Sequence, residues 1–170
     1  PAPALVTGIG EIIERIDGLP SLHLVVANFG NSLATAEVYR ATDALSSALT
    51  EPDNGSTMRA ISRLAGERAD LEPAPGELLV NDLEPAARRR CPPVARLSNG
   101  LREAGAIGVS MSGSGATVFG VFESQTDAEE GAKRLAALLL GKTSGLTDRE
   151  ISRNECWIQV TKVIPTGEDE

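Results

Sequence analysis

Met111-Ser112-Gly113-Ser114-Gly115-Ala116-Thr117-Val118-Phe119-Gly120 is the stretch on which the fold turns. Strand-like apolar runs, Ile107 to Met111 and Thr117 to Phe122, stand on either side of four small residues, which predicts two neighbouring strands joined by a glycine-rich hairpin. Glycines at such a bend leave backbone N–H groups uncovered and let a ligand approach the main chain. The serine hydroxyls add donors suited to phosphate or ribose. A plain flexible turn has the same signature, so this pattern alone does not separate a binding loop from a connection.

Working outward, Val94 to Ala104 reads as a helix, set off by Pro92-Pro93 from a helical stretch that starts near Leu83. Further upstream, Met58, Ile61, Leu64 and Ala65 recur at helical spacing between Thr57 and Asp70, closed by Pro73-Ala74-Pro75-Gly76. Thr35 is placed to cap another helix, with Val38, Ala41, Thr42 and Leu45 inward, that stops before Pro52. His23 to Ala27 has the compact apolar character of a buried strand, and Leu5 to Thr7 and Ile12 to Ile16 flank a Gly8-Ile9-Gly10-Glu11 turn. Downstream, Asp127 to Leu140 is amphipathic, with Ala128, Gly131, Ala132, Leu135, Ala136 and Leu139 inward and Gly141 as C-cap, and Trp157 to Ile164 supplies a last strand. From His23 onward the order is strand, helices, strand, strand, helix, strand. That order predicts an α+β, ferredoxin-like split βαβ fold with extra helices in its first crossover.

The chain has 170 residues, 41% of them hydrophobic, and a formal net charge of -8. Such a chain has apolar material for one ordinary core. The acidic balance argues against a nucleic-acid partner, since no broad basic face is available to displace phosphate counterions. Ala132 to Leu140 is the longest apolar stretch; Lys133 and Arg134 interrupt it, and it falls far short of the roughly 20 residues that span a bilayer. No membrane partner and a cytoplasmic location are therefore expected, and the opening Pro1-Ala2-Pro3 has no export-signal pattern. Cys91 and Cys156 have no Cys or His at metal-ligand spacing, so both read as buried thiols and no metal site is expected.

Asn81-Asp82-Leu83-Glu84 has the look of a helix start, where an Asn or Asp side chain takes up free N–H groups and Glu84 suits the first turn. Tyr39, the sole tyrosine, sits in the first turns of its helix and is open to two readings, core filling or stacking on a planar base. His23 has no acid, Ser or Cys beside it, which argues against catalysis or metal binding. Arg88-Arg89-Arg90 reads as a solvated helix face. No G-x-x-x-x-G-K-[ST] sequence occurs, so these residues do not themselves spell a triphosphate loop.

Taken in order, Gly8-x-Gly10-Glu11, Ser32-Leu33-Ala34-Thr35-Ala36-Glu37-Val38-Tyr39, Asn81-Asp82-Leu83-Glu84, Gly105-Ala106 and Ser112-Gly113-Ser114-Gly115-Ala116-x-Val118-Phe119 make the chain resemble the 4-diphosphocytidyl-2-C-methyl-D-erythritol kinases of the GHMP superfamily. The resemblance runs from about Gly8 to Phe122. It implies a domain that contributes the substrate side of an ATP- and Mg-dependent transfer of phosphate to the 2-hydroxyl of a cytidylyl methylerythritol. By the same resemblance, Tyr39 stands where an aromatic ring stacks on cytosine, Thr35 lines that pocket, and Ser112, Gly113, Ser114 and Gly115 correspond to the third motif of the superfamily. The family's catalytic Asp and Lys and its ATP loop belong to an N-terminal domain, so no catalytic residue is expected here and that domain is an expected partner. Residues 1–20 are then expected to be interdomain strands and linker, 21–164 the substrate-binding domain, and 165–170 a disordered acidic tail. Two alternatives stand beside this one: another member of the superfamily, of homoserine or mevalonate type, and a free-standing ligand-binding regulatory domain.

Overall fold

The apolar run around Val25 forms β3 (Leu22–Asn28), which lies between two partners in a sheet. To name its strands in chain order, the hairpin that precedes it comprises β1 (Ala4–Thr7) and β2 (Ile12–Arg15), and those that follow are β4 (Gly108–Met111), β5 (Val118–Phe122) and β6 (Trp157–Val163). The order in the main sheet is β4-β5-β3-β6, and every pairing in it is antiparallel. Counted from β3, these strands are second, third, first and fourth along the chain. That is the ferredoxin-like arrangement expected from the sequence. The first crossover carries α1 (Thr35–Ser46), α2 (Glu84–Arg90) and α3 (Pro92–Glu103); the second carries α4 (Gln125–Gly141).

The structure is a computed structural model that describes residues 4–7, 9–15, 21–46, 79–141 and 156–163. The helix expected over 57–70, the end of α1 before Pro52 and the acidic tail at 165–170 lie outside the described residues.

Strand alternation puts Val25, Ala27, Val109, Met111, Val118 and Phe122 in the core, where Val94, Leu97 and Leu101 of α3 and Ala128, Leu135 and Leu139 of α4 meet them. Each Val, Leu, Met or Phe among them contributes about 1.5–3 kcal/mol relative to exposure, which makes this layer the main source of the domain's cohesion. Cross-strand neighbours Ser110 and Phe119 have the opposite parity and therefore face the other side of the sheet. The helix phases agree with the sequence: Val38 is fully buried on α1 while Arg40 and Asp43 are exposed.

Three details differ from expectation. Pro92 and Pro93 open α3 instead of separating two helices; the break falls on Cys91 alone, and a proline in the first turn sacrifices no intrahelical hydrogen bond. Gly141 is the last residue of α4 and not a cap beyond it. Thr35 does not cap α1 with its side chain, because Ala34 O accepts the amides of Glu37 and Val38 and the Thr35 hydroxyl turns elsewhere.

The β1–β2 hairpin forms a separate two-stranded sheet. Val6, Ile9, Ile12 and Ile13 are all exposed on it, so it presents apolar side chains to solvent.

Candidate functional site

The site is assembled around the turn between β4 and β5. Ser112 N–H donates to Thr117 O at 2.9 Å and Gly115 N–H donates to Ser112 O at 3.0 Å, which closes the bend. Gly113 and Gly115 have φ of +56° and +89°, a backbone region that costs an L side chain about 1 kcal/mol or more. Among the described residues, no acceptor takes the amides of Gly113, Ser114 and Ala116.

Three segments distant in sequence brace this turn. From α1, the Thr35 hydroxyl meets the Ser114 hydroxyl at 3.0 Å. From the end of β3, Asn28 Nδ2 donates to Thr117 Oγ1 at 2.9 Å, while Asn28 Oδ1 accepts the Asn31 amide at 3.0 Å. From the segment before α2, Asn81 Nδ2 donates to the carbonyls of Met111 at 2.7 Å and Gly113 at 2.9 Å. Glu84 completes that third brace by accepting the Met111 amide at 3.2 Å.

Beside the turn lies a cleft of about 590 Å³, lined by Tyr39, residues 79–83, Ser110, Met111, Ser112, Gly113 and Phe119. Its size suits a small organic ligand. Tyr39 is 54% exposed, which rules out core filling and leaves the ring free to present a face. Among the described residues of the lining, Asp82 is the only charged one, and none offers a cationic side chain to an anion. A phosphate held at this wall would rely on the turn's amides and on cations from elsewhere.

The structure therefore brings the six expected residues into one neighbourhood. Tyr39, Ser112 and Gly113 line the cleft, whereas Ser114 and Gly115 belong to the braced hairpin, and Thr35 braces it from α1, without lining the cleft. The Asn81-Asp82-Leu83-Glu84 segment does more than the capping expected of it. Asn81 Oδ1 accepts the Leu83 amide at 3.0 Å, as a helix start should, but the N-cap residue itself is Leu83 and has no side-chain cap. Asn81 and Glu84, read from the sequence as a helix start, and Asn28 and Phe119, not read as site residues, are the further participants. Polar residues at element ends were the available signal, and their partners lie 27 to 89 residues away.

The other charged candidates do not line the cleft, although Arg88 reaches Glu84 of the third brace. Arg88 pairs with Glu84 and Arg90 with Glu37, partly exposed contacts worth at most about 1 kcal/mol each. His23 Nδ1 faces Gln125 Oε1 at 3.4 Å at the far end of β3. Among the described residues no three His, Cys, Asp or Glu side chains gather as a metal site, so Mg is not assigned to any of them.

The antiparallel sheet and the glycine-serine hairpin agree with the family that the chain's sequence matches. Residues 45–139 match the family model described as GHMP kinases C terminal, and the chain belongs to that family. A 4-diphosphocytidyl-2-C-methyl-D-erythritol kinase of Citrifermentans bemidjiense is 40% identical over 134 residues, covering 79% of this chain and 44% of the relative. A like-named kinase of Rhizobium leguminosarum is 38% identical over 135 residues, covering 78% of this chain and 41% of the relative. The chain thus spans less than half the length of these curated relatives. Among solved structures, a 4-(cytidine 5'-diphospho)-2C-methyl-D-erythritol kinase superposes with a TM-score of 0.59 at 26% identity, covering 92% of this chain and 48% of the other. Mevalonate kinase of L. major shares the fold, with a TM-score of 0.62 at 20% identity over 91% of this chain and 46% of that one. No helix among the described residues is long and apolar enough to cross a membrane.

Proposed function

We propose that this chain is the substrate-side domain of an ATP-dependent kinase that phosphorylates the 2-hydroxyl of 4-diphosphocytidyl-2-C-methyl-D-erythritol, a step toward isoprenoid precursors by the non-mevalonate route. One observation carries the reading: an exposed tyrosine face and a glycine-serine turn with uncommitted amides border the same cleft. Stacking of cytosine on Tyr39 would contribute about 1–3 kcal/mol. The amides at Gly113 and Ser114 would receive phosphate oxygens as donors fixed in advance. Names of the relatives support this substrate over that of homoserine or mevalonate kinases, with which the described likeness is one of fold.

Phosphoryl transfer depends on positioning and on charge stabilisation around the γ-phosphate. In this reading the ATP loop, the base and the Mg ligands come from a second domain, because the described residues gather no metal site and the sequence has no triphosphate loop. The apolar side chains exposed on β1–β2 would dock against that domain, with residues 1–20 as the junction, 21–164 as the substrate domain and 165–170 as a tail. The assembled enzyme would work in the cytoplasm.

Calorimetric titration of the 170-residue chain with CDP and with ADP tests the reading. Tighter binding of CDP supports it, and equal affinity for the two nucleotides contradicts it.

A further inference from the structure

Asn81 belongs to no helix or strand, yet both hydrogens of its side-chain amide are committed. Its two amide hydrogens go to the carbonyls of Met111 and Gly113, at 2.7 and 2.9 Å, and its Oδ1 accepts the Leu83 amide at 3.0 Å. Although Asn81 lines the cleft, its side chain therefore has no hydrogen left to give a ligand. What it controls is the geometry of the main chain beside it. The carbonyl of Gly113 and the amide of Ser114 belong to one planar peptide unit and point in opposite directions. Pinning the carbonyl fixes where the Ser114 N–H is aimed. Without that restraint Gly113, at φ +56° and with nothing within 4 Å of a Cβ position, is free to rotate the peptide. Glu84 steadies the same junction by accepting the Met111 amide, so both main-chain polar groups of Met111 are held by side chains at the start of α2 and just before it.

We propose that Asn81, backed by Glu84, is a positioning residue that sets the Ser112–Gly115 turn for the phosphate end of the ligand. This rests on the reading of the cleft given above. The base end, at Tyr39, lies outside its influence, which makes the effect of losing Asn81 selective in a way that general destabilisation is not.

The test compares the unsubstituted chain with Asn81→Ala and Asn81→Asp. Aspartate keeps an acceptor for the Leu83 amide but has no hydrogens for the two carbonyls, so it separates the helix start from the turn; it also carries the comparison if the alanine variant does not fold. In the ligand-free chain, the backbone order parameter of Ser114 is expected to fall from about 0.85 to below about 0.6 in both variants, with Leu97 and Leu135 unchanged. CDP affinity is expected to fall about tenfold or more while cytidine affinity stays within about twofold, the loss being confined to the phosphate end. An unchanged order parameter, or equal weakening of CDP and cytidine, overturns the positioning role. Failure of the unsubstituted chain to bind CDP, with the order-parameter response intact, overturns the cytidylyl reading of the cleft and leaves the role of Asn81 standing.

Discussion

The hydroxyls of Thr35 and Ser114, 79 residues apart, meet at 3.0 Å and tie the first turn of α1 to the β4–β5 hairpin. Because Tyr39 stands one turn further along the same helix, this link sets the aromatic ring and the bare amides on one wall. The two halves of the proposed ligand, a base and its phosphates, are thereby addressed by elements that meet at one side-chain contact.

Tyr39→Ala removes a ring that is half in solvent, so the cost to folding is expected to stay under about 1 kcal/mol. CMP and CDP affinities are expected to fall at least about tenfold, the loss of one stacking contact. Tyr39→Phe keeps the ring and is expected to bind like the parent. Titration calorimetry with a thermal melt of each variant reads both quantities.

The two glycines of the turn differ in what surrounds them. A Cβ on Gly115 would lie 2.6 Å from Met111 Sδ and 3.3 Å from Leu33 Cδ1, whereas one on Gly113 would meet nothing within 4 Å. Gly115→Ala therefore combines left-handed backbone strain with overpacking and is expected to cost about 2–4 kcal/mol. Gly113→Ala carries the strain alone, about 1–2 kcal/mol. Urea denaturation is expected to give that order; the reverse order would contradict the placement of the turn.

Burial pushes the Cys91 thiol above its ordinary value of 9.0, opposed by the backbone hydrogen bond from Val94, and burial raises Cys156 likewise against the nearby charge of Arg96. A folded state that holds a thiol proton more tightly keeps that share of stability fully below the unfolded value. It loses that share as pH rises through the folded value. Stability is accordingly expected to decline above pH 9, and less steeply in Cys91→Ala once its lower baseline is allowed for. Both thiols are expected to react slowly with a disulfide reagent at pH 8, with the half-buried Cys156 ahead of buried Cys91.

On the proposed division of labour, the 170 residues alone position an acceptor but supply neither base nor ATP loop. ADP release with ATP, Mg and the cytidylyl substrate is expected to stay at background. Turnover on the order of 1 per second, ordinary for a kinase, would contradict that division.

Much of the fold was legible because its signals are local. Period-two runs on either side of Ser112-Gly113-Ser114-Gly115 mark β4 and β5, and the order of elements around Val25 leads to the antiparallel sheet. The ring of Tyr39 was legible only in part: an aromatic on an amphipathic helix reads equally as core, and its exposure is decided by where α1 docks. Asn81 was legible as a helix start through its contact with Leu83, but its larger work depends on carbonyls 30 and 32 residues away. Nothing in local pattern names such partners. Thr35 misled for a related reason, since a capping-type residue in the right place had its hydroxyl claimed by Ser114 instead.

The most direct test is a ¹⁵N-edited NMR titration of the chain with CDP. The account predicts that the amides of Gly113, Ser114 and Ala116 and those around Tyr39 shift together along one saturation curve, as one ligand spanning both groups requires. Shifts confined to one of the two, or appearing only at sites away from both, would contradict it.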